Sequence, residues 1–292
     1  MANSIALVTA FRQIVDAVYK VESKTTMLDA MTQSPSFLSA NAVKVMKIDT
    51  VGLGTYSRAS GYPAGNITAT WEEMALSAER GRAFTLDRMD DEESLGLLLG
   101  RTIREWMRAY VAPEIDAYRF AKYATGAGNV VSSGATLDAD TIVAAIAAGK
   151  LALDEDEVPE EDRTLFITPS CKQFLETAID RSLKNENVVN ELVEVYNGMR
   201  VVMVPQSRFY TAITLDAGAT ASAGGYSSNG KDINFMIVHK DAVCQPIKLN
   251  QVKYFSPDVN QTSDGHLWQY RLYHDAFVYD NHVNGIYLHH KA

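Results

Sequence analysis

The stretch "ERGRAFTLDRMDDEES", Glu79–Ser94, decides the reading of the chain: a strand with charges on both sides runs straight into an acidic cluster that opens a helix. Its apolar residues Phe84 and Leu86 are crowded by Arg80, Arg82, Asp87 and Arg88. Upstream, "NITATWEEMALS" places Ile67, Ala69 and Trp71 on one strand face and adds Glu72 and Glu73. Before it, "AVKVMKID" alternates as a strand and "VGLGTYSRASGYPAG" is a Gly- and Ser-rich loop. These pieces predict one long hairpin. So few apolar residues on two or three strands do not stabilise an isolated ribbon, so it requires a docking surface from elsewhere.

Downstream, Leu95, Leu98, Leu99, Ile103, Trp106, Met107 and Tyr110 recur with a helical period, behind an acidic first turn suited to the helix dipole. Pro113 interrupts the pattern and "PEIDAYRFAKYATGAG" resumes it, as one kinked helix or as two in series. From Asp91 to Ala124 such a run spans about 50 Å, a spine several times the ordinary helix length.

The rest of the chain alternates helix and strand. "DADTIVAAIAAGKLAL" predicts a helix capped at Asp138 or Asp140, "TLFITP" a buried strand, "SCKQFLETAID" a helix capped by Ser170, and "MRVVMVP" and "INFMIVH" further buried strands. A long loop dense in Gly, Ala and Ser covers Gln206 to Asp232. "CQPIKLNQVKYFSP" and "HLWQYRLYHDAFVYDN" read as long strands, and "NGIYLHH" closes the chain behind an Asn-Gly turn. At the other end, Ile5, Val8, Phe11, Val15 and Val18 predict an amphipathic helix, and "SPSFLSAN" (Ser34–Asn41) an extended arm.

Composition limits the function classes. The chain has 292 residues, 47% hydrophobic and 22% charged, which suits one large or two smaller globular domains. With 27 Lys+Arg against 36 Asp+Glu the net charge is -9, so the chain as a whole repels nucleic-acid phosphate. Cys171 and Cys244 have no paired spacing, which argues against a disulfide framework or a zinc ribbon. No apolar run reaches bilayer length, so no membrane partner is expected.

Catalytic motifs are weak. "GGYSSNGKD" places Gly225, Gly230 and Lys231 nearly at phosphate-loop spacing, but Asp232 stands where a metal-binding hydroxyl belongs and a strand, not a helix, follows. His274 and His282 flank Asp280 without a metal-ligand spacing, and His289 and His290 read as strand histidines. No serine lies in a nucleophile elbow. We expect no catalytic residue, no metal and no cofactor.

The order of segments resembles the major capsid protein of tailed bacteriophages, the Hong Kong 97 fold. The residues that carry the resemblance are "RGRAFTLDRMDDEES" running into the helix, "APEIDAYRFAKYA", "LFITPSCKQFLETA", "MRVVMVPQSRFY" and "FMIVHKDAVCQPIKL". It implies an α+β chain with an N-terminal arm (1–42), an extended E-loop hairpin (43–89), a peripheral domain with the spine helix (90–137), an axial domain (138–243), peripheral return strands (244–282) and a C-terminal strand returning to the axial domain (283–292). It further implies that Ile67, Trp71, Arg80, Arg82, Phe84, Leu86 and Arg88 meet a neighbouring subunit, and that Leu95, Leu99, Ile103, Trp106 and Tyr110 line the spine. The implied partners are further copies in hexamers and pentamers, a portal protein, and packaged double-stranded DNA held without sequence-specific contact. A decoration protein is compatible with this set.

Two departures from the name-giving member shape the expectation. The hairpin begins near residue 44, which leaves no room for a fused scaffolding segment and points to a separate scaffolding protein. No lysine lies between Lys47 and Lys122, so a lysine-based chainmail lacks its nucleophile and the shell is expected to be non-covalent. An encapsulin-type compartment of the same fold is the alternative reading, and an unrecognised enzyme a more distant one.

Overall fold

Arg163–Ile167 (β5) and Ile233–His239 (β10) are buried along their whole length, the signature of strands covered on both faces. In the computed structural model they form the centre of a six-stranded sheet; the structure describes residues 23–29, 42–89, 103, 105–133, 137–182, 194–220 and 223–292. The predicted N-terminal helix, the Ser34–Asn41 arm, and Leu95, Leu98 and Leu99 lie outside the described residues.

Around that centre the sheet order is Asn129–Ser133 (β4), Ile286–Lys291 (β15), β10, β5, Met199–Met203 (β7) and Val195–Tyr196 (β6). Side chains of β10 alternate between two cores. Met236 and Val238 join Phe120, Phe166, Phe209 and Leu288 on one face, while Phe235 and Ile237 join Ile142, Ile146, Leu153 and Leu175 on the other. The first face is covered by helix α1 (Ala112–Gly126), the second by α2 (Ile142–Glu155) and α3 (Pro169–Ser182).

Local chemistry sets the helix ends. The Asp138 carboxylate accepts from the amides of Asp140 and Thr141 and from the Thr141 hydroxyl at 2.8 Å, so Asp138 rather than Asp140 organises the start of α2. These bonds pull its pKa below the ordinary carboxylate value. Helix α3 begins one residue before the expected Ser170 cap, at Pro169, whose missing N–H costs nothing in a first turn. Helical backbone runs without a break from Glu105 to Gly126 through a π turn at Met107–Val111, where the Ala112 amide reaches back to Met107 O. Pro113 is thus accommodated inside one continuous run, settling the choice between one helix and two.

The main correction concerns Ala78–Asp87 (β3). Sequence reading put this strand in the hairpin, but it pairs antiparallel with Gly265–His274 (β13), which in turn pairs with Ile247–Phe255 (β12), in a separate three-stranded sheet. Phe84 and Leu86 turn inward onto Ile103, Trp106, Met107, Trp268 and Tyr270. Close approach of β13 is permitted by Gly81, where an added Cβ would lie 2.9 Å from Tyr270 O. The hairpin proper consists of Ala42–Thr50 (β1) and Ile67–Ala75 (β2) alone.

Candidate functional site

The β1–β2 ribbon has two chemically different faces, set by its register. Met46 lies opposite Trp71, Ile48 opposite Ala69, and Thr50 opposite Ile67, and directly opposed residues share a face. On the other face Val43 opposes Met74, Val45 opposes Glu72, Lys47 opposes Thr70 and Asp49 opposes Thr68. The second face is apolar only near its base, where Val43, Met74 and Leu76 are buried with Val45, Tyr273, Phe277 and Tyr279 around them. Farther out it is tied by a Lys47 Nζ to Asp280 Oδ2 bond of 3.3 Å. Burial, with the Asp280 carboxylate second, pushes the Glu72 carboxyl up.

The first face has no such cover among the described residues. Met46, Ile48, Ile67 and Trp71 are 50%, 56%, 77% and 60% exposed, and the loop between the strands also exposes Val51, Leu53, Tyr56 and Tyr62. Tyr56 and Tyr62 pack on each other at 5.0 Å, so the tip carries an ordered aromatic pair. Among the described residues β1 and β2 pair only with each other, leaving both outer edges of the ribbon without strand partners. Exposed apolar side chains gathered on one face are the kind of surface on which a partner can dock.

The residues expected from sequence to meet a neighbour therefore separate into two groups. Ile67 and Trp71 lie on the exposed stripe, but Arg80, Arg82, Phe84 and Leu86 are engaged inside the subunit. Arg80 holds both carboxylate oxygens of Glu114, at 2.6 and 3.2 Å, and donates to the carbonyls of Asp216 and Gly225. Arg82 donates to Ala223 O. The two arginines thus tie Asp216, Ala223 and Gly225 to β3. Arg88 follows β3, its amide bonded to Asp264 O at 3.2 Å. Of the spine residues, Ile103 is buried, Trp106 packs edge-on against Phe84 and Tyr270, and Tyr110 is 62% exposed. Sequence reading missed Met46 and Ile48, which share a face with Ile67 and Trp71 only through the register that a long loop leaves open, and the exposed loop residues Leu53, Tyr56 and Tyr62.

The catalytic decoys resolve into structure. Gly225–Asp232 belongs to the hairpin of Ile213–Leu215 (β8) and Tyr226–Ser228 (β9), with the Lys231 amide bonded to Thr211 Oγ1 and Asp232 paired with Lys291 at 2.8 Å. His289 stacks on Phe235 and bonds Asn234, and burial pushes its pKa down. Cys171 and Cys244 are buried and their thiols raised by that burial. A cleft of about 420 Å³ lies between α1 and β8, lined by Tyr118, Ala121, Lys122, Thr125 and Ile213 among others. Its one charged lining side chain, Lys122, is within 3.6 Å of Asp275. No described helix is long and apolar enough to cross a membrane.

No protein-family model and no curated protein matches the chain. Solved structures do. The mature capsid of bacteriophage PhiM1 is 12% identical, with 87% of this chain and 82% of that chain covered at a TM-score of 0.63. The capsid of an empty GTA particle, computed with C5 symmetry, is 13% identical over 87% of this chain and 92% of that one, at 0.57. A virus-like particle from Pyrococcus furiosus is 9% identical over 97% and 98%, at 0.58. This chain has the fold of these capsid structures, the fold its order of segments resembles.

Proposed function

We propose that this chain is the major capsid protein of a tailed double-stranded DNA bacteriophage and assembles into hexamers and pentamers that close an icosahedral head. The observation that carries the reading is the exposed stripe of Met46, Ile48, Ile67 and Trp71 on a projecting ribbon, in a chain with a capsid fold. In this reading the stripe lies over a neighbouring copy. Burying the remaining exposed part of each such side chain contributes about 1–2 kcal/mol, weak enough to reverse singly and strong when repeated around a closed shell. The net charge of -9 suits a container that does not grip its DNA. A separate scaffolding protein and a portal protein complete the proposed assembly.

A second reading, an encapsulin-type compartment that stores a cargo enzyme, is favoured by the near-complete coverage of the Pyrococcus virus-like particle. One experiment separates the two. Particles purified from cells making the chain are imaged by electron microscopy, treated with nuclease and opened. Closed shells containing nuclease-resistant DNA support the phage head, and shells containing a protein cargo without DNA support the compartment. A monomer under all conditions, with or without co-expressed partners, contradicts both.

A further inference from the structure

The ribbon and β3 are consecutive in sequence but belong to different sheets, and only Leu76 and Ser77 join them. The direction in which the ribbon leaves the body is therefore set partly at this joint, together with its packed base and the Lys47–Asp280 tie. Leu76 is buried, and its carbonyl accepts from Tyr273 Oη at 2.9 Å. The Ser77 amide and hydroxyl both donate to Asp275 Oδ2, at 2.7 and 2.9 Å. The other oxygen of Asp275 accepts from Tyr118 Oη at 2.9 Å and from the Ala276 amide at 2.8 Å, with Lys122 Nζ 3.6 Å away. Asp275 itself is fully buried, immediately after β13.

We propose that Asp275 is a positioning residue that sets the angle of the ribbon by locking Ser77 to α1 and to the end of β13. A buried carboxylate is costly unless its lone pairs are filled, and here both oxygens are filled by groups from three separate elements. The joint, α1 through Tyr118 and Lys122, and the strand end through Ala276 all converge on it. Replacing it with a well-packed apolar group would leave the Ser77 amide without an acceptor and the link free to swing. A fixed angle presents the apolar stripe to a neighbouring copy in one direction. That consequence rests on the proposed assembly role, whereas the angle is a property of the single subunit.

The test uses the full chain before assembly. Spin labels are placed at Thr50→Cys on the ribbon and Leu151→Cys on α2, both exposed positions, while the native Cys171 and Cys244 are buried. Double electron–electron resonance should give one narrow distance in the parent. Asp275→Asn turns an amide nitrogen or a weaker acceptor toward Ser77, and the distribution should broaden at least about twofold or shift. Ser77→Ala removes the hydroxyl's bonds to Asp275 and Tyr118 but keeps the amide bond, and should broaden it less, whereas Ser77→Thr should keep the parent width. If Asp275→Asn fails to fold, the Ser77 pair decides the matter. A parent-like distribution in folded Asp275→Asn, or in Ser77→Ala when only that variant folds, overturns the proposal. A broadened ribbon in a variant that still closes normal shells would uphold the lock and count against the assembly reading.

Discussion

The β1–β2 ribbon and strand β3 have similar sequences, mixed charge and sparse apolar residues, yet opposite fates. In β3 the two arginines find a half-buried carboxylate or carbonyl partners and Phe84 and Leu86 find a core, so the strand is completed within its own subunit. In the ribbon only the base is completed that way, and the outer stripe ends in solvent. Charge density therefore does not tell an exposed strand from a core strand; the location of its partners does.

The largest expected contrast comes from two tryptophans. Trp268 on β13 is 5% exposed, and Trp268→Ala should lower unfolding free energy by about 3–5 kcal/mol in a urea melt. Trp71→Ala on the ribbon should change it by less than about 0.5 kcal/mol while suppressing assembly. Equal losses of stability would erase the distinction between the two regions.

Arg80 sharpens the same contrast at a smaller scale. Arg80→Ala removes a bidentate ion pair and two carbonyl contacts, and about 2 kcal/mol of stability should go with them. Hydrogen exchange should rise in the 216–225 loop and stay unchanged in the ribbon. Lysine would not substitute, because the planar fork is what spans Glu114 and the loop.

His274 gives a pH signature to the body alone. Burial, with the Arg119 charge second, lowers its pKa from 6.5 to about 3, so it stays neutral in the fold. Between those values the unfolded chain binds a proton that the folded chain does not. Its contribution is intact above about pH 6.5, and stability should fall by up to about 1.4 kcal/mol per pH unit as pH drops below that. His274→Phe keeps a ring beside Tyr118 and should flatten that slope in melts from pH 7 to pH 5. The smallest effect is expected at the border between docked and exposed ribbon. Lys47 and Asp280 are both partly solvated, so Lys47→Ala should cost no more than about 0.5 kcal/mol by the same melt.

Much of the fold is legible without coordinates because it depends on local chemistry. "INFMIVH" and "LFI" are almost wholly apolar because both faces are covered, and the acid ahead of α2 marks a real helix start, whereas α3 starts at Pro169 and not behind a Ser170 cap. The membership of β3 is not legible. Arg80 and Arg82 share its inward face with Phe84 and Leu86, and their partners lie 34 to 145 residues away in the chain. The stripe was half legible: Ile67 and Trp71 follow from alternation within one strand, whereas Met46 and Ile48 join them only through the register.

The account rests on the claim that the outer ribbon serves assembly and the rest of the chain folds without it. Met46 and Trp71 are register partners, so an Asn-Gly turn can replace Lys47–Thr70 and leave the buried base of Val43, Met74 and Leu76 in place. Sedimentation and electron microscopy of this variant, made beside the parent under conditions in which the parent closes shells, test the claim directly. The account predicts a folded protein with a parent-like melting temperature and no closed shells, and shells of normal size and yield would contradict it.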